Sequence, residues 1–114
     1  MIKIYHNPRC GKSRQTLALI EEAGIKAEVI EYLKTPPTVE ELDSILKKLK
    51  MEPCDLMRKG EGIYRELKLA EKELSRKEAI EIMVAHPKLI ERPIVIKGRQ
   101  AVLGRPPENV KTLL

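Results

Sequence analysis

The order of strand and helix patterns in the first 32 residues constrains the fold more than any other feature of the chain. Apolar Ile2 and Ile4 alternate with other residue types, which is typical of a β-strand. A helix is predicted to follow and to end at Gly24, a residue suited to a left-handed C-terminal cap. Leu17, Ile20 and Ala23 are predicted to mark one face of this helix. Residues 27–32 again resemble a strand, so the pattern predicts a βαβ unit with parallel strands.

Capping boxes predict two helices in the middle of the chain. Thr38 with Glu41 begins one, and Ser75 with Glu78 begins the other, which must end near His86 because Pro87 follows. The buried stripe of the first helix is predicted to be Leu42, Ile45, Leu46 and Leu49, and the second helix is predicted to run through Ile80, Met83 and Val84. Between them, Pro53 fits the first position of a short helix that is expected to carry Met57 and Arg58.

The last third of the chain returns to strands. Residues 94–96 and 101–103 are predicted to form an antiparallel hairpin, and a short helix after Pro106 and Pro107 closes the chain. The order βαβ, helices, ββα predicts an α/β protein with a thioredoxin-like fold and a mixed sheet. We therefore expect one domain over residues 1–114, with a helical insertion at about 38–90.

Charge and composition favour an anionic ligand over a nucleic acid or a membrane. The net charge is +5, yet basic and acidic residues alternate without a long Lys/Arg tract, and only 3% of residues are aromatic. No apolar run approaches membrane length and no signal peptide is evident, so we expect a cytoplasmic protein. The two cysteines, Cys10 and Cys54, have no metal-ligand spacing and are not expected to form a disulfide scaffold.

Cys10 lies where the first strand is predicted to end and the first helix to begin. Unpaired backbone N–H groups at a helix N-terminus stabilise a thiolate and attract an oxyanion. Ser13 can donate its hydroxyl to the thiolate, and nearby donors or positive charges are supplied by His6, Arg9, Lys12 and Arg14. A lone cysteine after a strand is often a buried core residue, but this crowd of polar neighbours favours a reactive thiol.

Spacing excludes two other readings of the same segment. Residues 10–13 lack the second cysteine of a Cys-x-x-Cys centre. A phosphate-binding Walker loop would need a glycine where His6 stands, so nucleotide hydrolysis is not expected. A tyrosine-phosphatase loop places its arginine farther from the cysteine than Arg14 lies here, which leaves that chemistry as an analogy only.

Several segments, taken together, carry a family resemblance. They are residues 5–16, 32–38, 56–59, 64–67, 86–95 and 104–106. In this combination and order the chain resembles the glutaredoxin-dependent, ArsC-type arsenate reductases over nearly its whole length. The glycine-rich segment 59–63 and Gly104 are similar to an uncharacterised ArsC-like branch of that family.

The resemblance implies an arsenate reductase that forms a covalent adduct. Cys10 would attack arsenate, glutathione would act as co-substrate, and glutaredoxin would complete the reduction to arsenite. The resemblance further implies that the oxyanion is held by Arg58, Arg92 and Arg105, and that the thiolate is activated by His6, Ser13 and Arg14. The proline after Arg92 is typically cis in thioredoxin-type folds. We expect a monomer that has no bound cofactor or metal and no nucleic-acid or membrane partner.

Two other functions remain open at this point. A glutathione-dependent thiol oxidoreductase would use Cys10 alone. A regulator that binds RNA polymerase on the same fold often carries a dithiol switch, which residues 10–13 lack. Cys54 is expected to be either a resolving thiol or a core residue, and His86 a helix-end residue without a catalytic role.

Overall fold

The computed structural model describes all 114 residues and shows two compact units. The sheet unit comprises Met1–Thr35 and Arg92–Leu114, and the helical unit comprises Pro36–Glu91. The helical insertion expected at about residues 38–90 falls inside the helical unit. That the whole chain acts as one domain stays a prediction.

A mixed four-stranded sheet forms the first unit. Its strands are β1 (Ile2–His6), β2 (Ala27–Glu31), β3 (Ile94–Lys97) and β4 (Gln100–Leu103), in the order β2-β1-β3-β4. Strands β1 and β2 are parallel, whereas β3 is antiparallel to both β1 and β4. The predicted α/β class, βαβ unit and terminal hairpin are therefore confirmed.

Helix α1 (Gly11–Glu22) joins β1 to β2 and ends before Gly24, whose φ of 76° is the left-handed value expected for a cap. Its buried residues are Ser13, Thr16 and Ile20. Of the predicted face, Ile20 is buried, Leu17 is half-buried and Ala23, the C-cap, is exposed. Two hydroxyl side chains instead occupy the buried face of the first turns.

Aliphatic side chains from every layer of the sheet unit form its core. The buried cluster comprises Ile2, Ile4, Ile20, Val95, Val110 and Leu113. Val110 and Leu113 belong to the 3-10 helix Pro107–Leu113, which is the predicted closing helix. Burying an aliphatic side chain contributes about 1.5–3 kcal/mol, so this cluster anchors both ends of the chain to the sheet.

The helical unit contains four α-helices and two short 3-10 helices. They are α2 (Val39–Leu49), α3 (Pro53–Leu56), α4 (Gly62–Glu66), Leu69–Glu71, α5 (Arg76–Ala85) and Pro87–Leu89. Both predicted capping boxes are present, at Thr38 with Glu41 and at Ser75 with Glu78. No helix of the chain is both long and apolar enough to cross a membrane.

The placement of Met57 and Arg58 on α3 is wrong. The helix ends at Leu56, and Met57 has extended backbone angles and pairs with Ile90 in an isolated antiparallel bridge. Two backbone hydrogen bonds frame that bridge: Arg58 N–H donates to the Leu89 carbonyl at 2.7 Å, and Glu91 N–H donates to the Leu56 carbonyl at 2.9 Å. Because these bonds take the backbone groups that a longer helix would need, α3 stops after one turn.

Candidate active site

Cys10 lies half-buried at the N-cap of α1, where the chain passes from the first loop into the helix. Its N–H donates to the Asn7 carbonyl at 3.0 Å, and its own carbonyl accepts from Arg14 N–H at 3.0 Å. The first bond closes a turn and the second begins the helical ladder. The Cys10 backbone is therefore fixed between a loop and a helix, both of which belong to the sheet unit.

The surroundings of the Cys10 thiol favour its thiolate. Partial burial raises the pKa of Cys10, but nearby hydrogen-bond donors lower this pKa by more. They are the Ser13 backbone N–H, the Arg92 guanidinium through both a hydrogen bond and its charge, and the Lys12 backbone N–H. Together they hold the pKa of Cys10 below its ordinary value, so a larger fraction is ionised at neutral pH.

The Ser13 hydroxyl is occupied within the loop before α1. Ser13 is fully buried, its Oγ lies 2.6 Å from Nδ1 of His6, and it accepts the Asn7 N–H at 3.0 Å. The sequence interpretation has this hydroxyl donating to the thiolate, but in the structure it is the Ser13 backbone N–H that reaches Cys10. The side chain therefore braces the loop that carries the cysteine.

His6 is buried at the end of β1. Burial is the largest influence on its pKa and lowers it, the Glu31 carboxylate raises it, and the Arg14 guanidinium lowers it. The net result is a pKa of His6 below the ordinary histidine value. Because a neutral imidazole carries no charge, His6 acts on its surroundings through the contact with Ser13.

Arg14 points its guanidinium at the loop backbone. Its Nη1 donates to the Pro8 carbonyl at 2.9 Å, and its charge acts on His6. Arg14 is not among the groups that lower the pKa of Cys10. The structure thus brings His6, Ser13 and Arg14 together around the loop, whereas the charge beside the thiol comes from elsewhere in the sheet unit.

Arg92 and Arg105 each precede a cis-proline, at Pro93 and Pro106. Arg92 hydrogen-bonds to the Cys10 thiol. Arg105 Nη1 donates to the Arg92 carbonyl at 3.3 Å. The structure therefore brings Cys10, Arg92 and Arg105 into one chain of contacts.

Gly104 packs too closely for any other residue. A Cβ atom there would lie 2.5 Å from Thr16 Oγ1 and 2.7 Å from Pro93 Cγ, and Gly104 N–H donates to the Pro93 carbonyl at 2.9 Å. This contact holds the segment that carries Arg105 against the segment that carries Arg92. Sequence reasoning noted Gly104 as a family feature and missed its packing role, although a glycine directly before an Arg-Pro pair was a signal.

Arg58 lies in the helical unit and is paired with two carboxylates. Its Nη1 lies 3.1 Å from Glu61 Oε2, and its Nε lies 3.4 Å from Glu91 Oε1. Neither acidic partner was predicted from the sequence. The spacing of three residues to Glu61 was a signal, but nothing in the sequence pointed to Glu91, 33 positions away.

Cys54 and His86 both belong to the helical unit. Cys54 is exposed on α3, so its expected place in the core is wrong: the buried residues of that helix are Pro53 and Leu56. His86 is the C-cap of α5. No group of three or more His, Cys, Asp or Glu side chains in the chain could hold a metal ion.

Comparison with known proteins identifies the chain's relatives. The chain is 51% identical to the uncharacterized protein YfgD of Escherichia coli K12 over 110 residues, which are 96% of this chain and 92% of that protein. It is 46% identical to the arsenate reductase of Neisseria meningitidis serogroup A over 114 residues, covering 99% of this chain and 97% of the relative. The solved structure of an arsenate reductase from Vibrio cholerae superimposes with a TM-score of 0.95 at 50% identity, covering 99% of this chain and 97% of that chain.

This similarity confirms the predicted thioredoxin-like fold, since the chain shares its whole architecture with the Vibrio cholerae structure. It also agrees with the resemblance drawn from the sequence motifs. The model of the ArsC family matches residues 5–113. A match over nearly every residue, together with relatives close to half identical along their full length, shows that the chain belongs to the ArsC family.

Proposed function

We propose that the protein reduces arsenate to arsenite, with Cys10 as the nucleophile. The observation that carries this proposal is the set of donors around the Cys10 thiol, namely the Ser13 and Lys12 backbone N–H groups and the Arg92 guanidinium, which lower its pKa. Membership of the ArsC family and 46% identity to a protein named arsenate reductase support the same reaction.

In the first step, the Cys10 thiolate attacks the arsenic atom of arsenate. An As–S bond forms, an As–O bond breaks, and the departing hydroxide is protonated to water. Near neutral pH the oxyanion and the thiolate are both negative, so they repel one another unless a cation lies between or beside them. Arg92, which already contacts the thiol, supplies that charge.

In the second step, two thiols reduce arsenic(V) to arsenic(III). Glutathione replaces another hydroxide on the adduct, and glutaredoxin attacks the glutathione sulfur. The resulting mixed disulfide carries away the two oxidised sulfur atoms, the electron pair remains on arsenic, and water releases arsenite from Cys10. Glutathione as co-substrate, glutaredoxin as partner, action as a monomer without a bound cofactor, and a cytoplasmic location are all parts of this proposal.

The oxyanion is proposed to bind three arginines. They are Arg58, Arg92 and Arg105. Guanidinium groups stay charged and form paired hydrogen bonds to tetrahedral oxyanions. Contact with Cys10 supports the role of Arg92, and contact with the Arg92 carbonyl supports that of Arg105. For Arg58 the support is the family resemblance.

The thiolate-activating role expected of His6, Ser13 and Arg14 is proposed to be indirect. The His6–Ser13 contact at 2.6 Å and the Arg14–Pro8 hydrogen bond at 2.9 Å hold the loop. A fixed loop keeps the Ser13 and Lys12 N–H groups aimed at the sulfur. These three residues are therefore positioning residues in this proposal.

Arsenate-dependent NADPH consumption tests the function. The assay contains glutathione, glutathione reductase and glutaredoxin, and compares the wild type with Cys10→Ser and with the matched Cys54→Ser. We expect turnover in the wild type and in Cys54→Ser and none in Cys10→Ser. Absence of turnover in the wild type, or its survival in Cys10→Ser, would contradict the proposal.

The lowered pKa of Cys10 equally favours a glutathione-dependent thiol oxidoreductase. That function needs the thiolate and no oxyanion. Turnover of a glutathione mixed disulfide without arsenate, lost in Cys10→Ser, would support it. If arsenate turnover were absent in the same preparation, the oxidoreductase would replace the reductase as the function of this site.

A further inference from the structure

Arg58, one of the proposed oxyanion ligands, is paired with two carboxylates. Glu61 and Glu91 lie against its Nη1 and Nε atoms, at 3.1 and 3.4 Å. All three side chains are mostly shielded from solvent, with exposed fractions of 24% for Arg58 and Glu91 and 28% for Glu61. The formal charges of these three side chains sum to −1.

The geometry of the guanidinium makes this occupancy a direct obstacle. A guanidinium presents two forks to an oxyanion, one formed by Nε and Nη2 and the other by Nη1 and Nη2. Glu91 lies against Nε, a member of the first fork, and Glu61 lies against Nη1, a member of the second. An oxyanion that binds Arg58 through either fork therefore shares a nitrogen with a carboxylate of the same sign.

Of the two carboxylates, Glu61 is the one whose backbone lies in a turn beside Arg58, and it makes the shorter, hydrogen-bonded contact. It belongs to a short turn, closed by a 3.3 Å bond from its N–H to the Arg58 carbonyl, and directly precedes α4. Glu91 instead follows the bridged residue Ile90, and its N–H is bonded to the Leu56 carbonyl at 2.9 Å. Rotation of the Glu61 side chain would uncover Nη1 of Arg58 while Glu91 stays against Nε.

We propose that Glu61 is an internal competitor for Arg58, which an oxyanion must displace before it binds. This inference rests on the proposed function, in which Arg58 is an oxyanion ligand. Since the competing carboxylate acts before chemistry, it raises the KM for arsenate and leaves kcat unchanged. An opposite role, in which Glu61 orients Arg58 for binding, predicts the opposite sign.

The test compares Glu61→Gln with Glu66→Gln, which makes the same change of charge on an exposed residue of α4. We expect Glu61→Gln to lower the KM for arsenate about fivefold, the equivalent of ~1 kcal/mol for a partly exposed ion pair, at unchanged kcat. Glu66→Gln is expected to keep the wild-type KM. In an Arg58→Gln background, Glu61→Gln is expected to have no effect.

A second measurement separates this inference from the proposed function. Inorganic phosphate that binds the site slows alkylation of Cys10 by iodoacetamide, and we expect Glu61→Gln to need about fivefold less phosphate for half protection. Failure of the wild type to reduce arsenate would overturn the proposed function but leave this comparison intact. An unchanged or higher half-protecting concentration in Glu61→Gln, or an equal drop in the Arg58→Gln background, would overturn the role of Glu61.

Discussion

Arg92 of the sheet unit and Arg58 of the helical unit carry the same guanidinium but face different anions. Arg92 contacts the Cys10 thiol and lowers its pKa, whereas Arg58 is paired with the carboxylates of Glu61 and Glu91. A guanidinium stabilises whichever anion lies against it. The charge of Arg92 thus acts on the reacting sulfur, while that of Arg58 acts on two carboxylates.

The largest expected effect comes from removing the charge of Arg92. Arg92→Gln is expected to raise the pKa of Cys10 and to lower kcat/KM for arsenate by about 100-fold, the usual cost of losing one donor to a developing oxyanion. The matched Arg58→Gln is expected to leave the pKa of Cys10 at its wild-type value, because Arg58 is not among the groups that act on the thiol. The pH dependence of the alkylation rate gives the pKa, and steady-state kinetics give kcat/KM.

Two outcomes would break this comparison between the arginines. One is an unchanged pKa of Cys10 in Arg92→Gln. The other is a pKa in Arg58→Gln that rises as far as in Arg92→Gln. Either result would mean that the two guanidinium groups do not divide their roles as their contacts indicate.

A smaller effect is expected from the serine beneath Cys10. Ser13→Ala leaves the His6 Nδ1 atom and the Asn7 N–H without their bonds to the hydroxyl, in a buried place. The free energy of unfolding, measured with urea, is expected to fall by about 2 kcal/mol, the cost of unsatisfied buried polar groups.

The matched change in the helical unit is Ser44→Ala, at an exposed position of α2, and it is expected to change stability little.

Ser13→Ala keeps the backbone N–H that reaches the sulfur. The pKa of Cys10 is therefore expected to rise less in Ser13→Ala than in Arg92→Gln. An equal rise would show that the hydroxyl itself stabilises the thiolate.

The smallest effect is expected at a pair of glycines, one from each unit. Gly104→Ala places a Cβ 2.5 Å from Thr16 Oγ1 and 2.7 Å from Pro93 Cγ, whereas nothing lies within 4 Å of the corresponding Cβ at Gly60. Gly104→Ala is expected to lower the free energy of unfolding by about 1.5 kcal/mol, as overpacking does, and Gly60→Ala by much less. Equal urea midpoints for the two variants would contradict the close packing of the segment before Arg105.

Local patterns were sufficient to predict most of the fold. The capping boxes at Thr38 and Ser75 and the glycine cap at Gly24 gave correct helix ends, because each works through atoms of neighbouring residues. The extent of α3 was not predictable in this way. Its end depends on the bridge between Met57 and Ile90, which are far apart in sequence. Helix α4 was also missed, since five residues carry no helical periodicity.

The candidate site was predictable in its composition but not in its contacts. The helix-start position of Cys10 follows from the local pattern, and the lowered pKa agrees with it. Which atom of Ser13 reaches the sulfur depends on a side-chain contact with His6, which spacing alone cannot give. The pairing of Arg58 with Glu91 is likewise tertiary, because only the folded backbone brings positions 58 and 91 together.

The most direct test of this account is the pH dependence of Cys10 alkylation in the Cys54→Ser variant, where Cys10 is the remaining cysteine. A thiol reacts as its thiolate, so the rate rises with pH and levels off above the pKa. We expect a midpoint below the value of about 8.5 that is typical of a free cysteine. A midpoint at or above that value would show that burial outweighs the Ser13 and Lys12 N–H groups and Arg92, and would contradict the central role of Cys10.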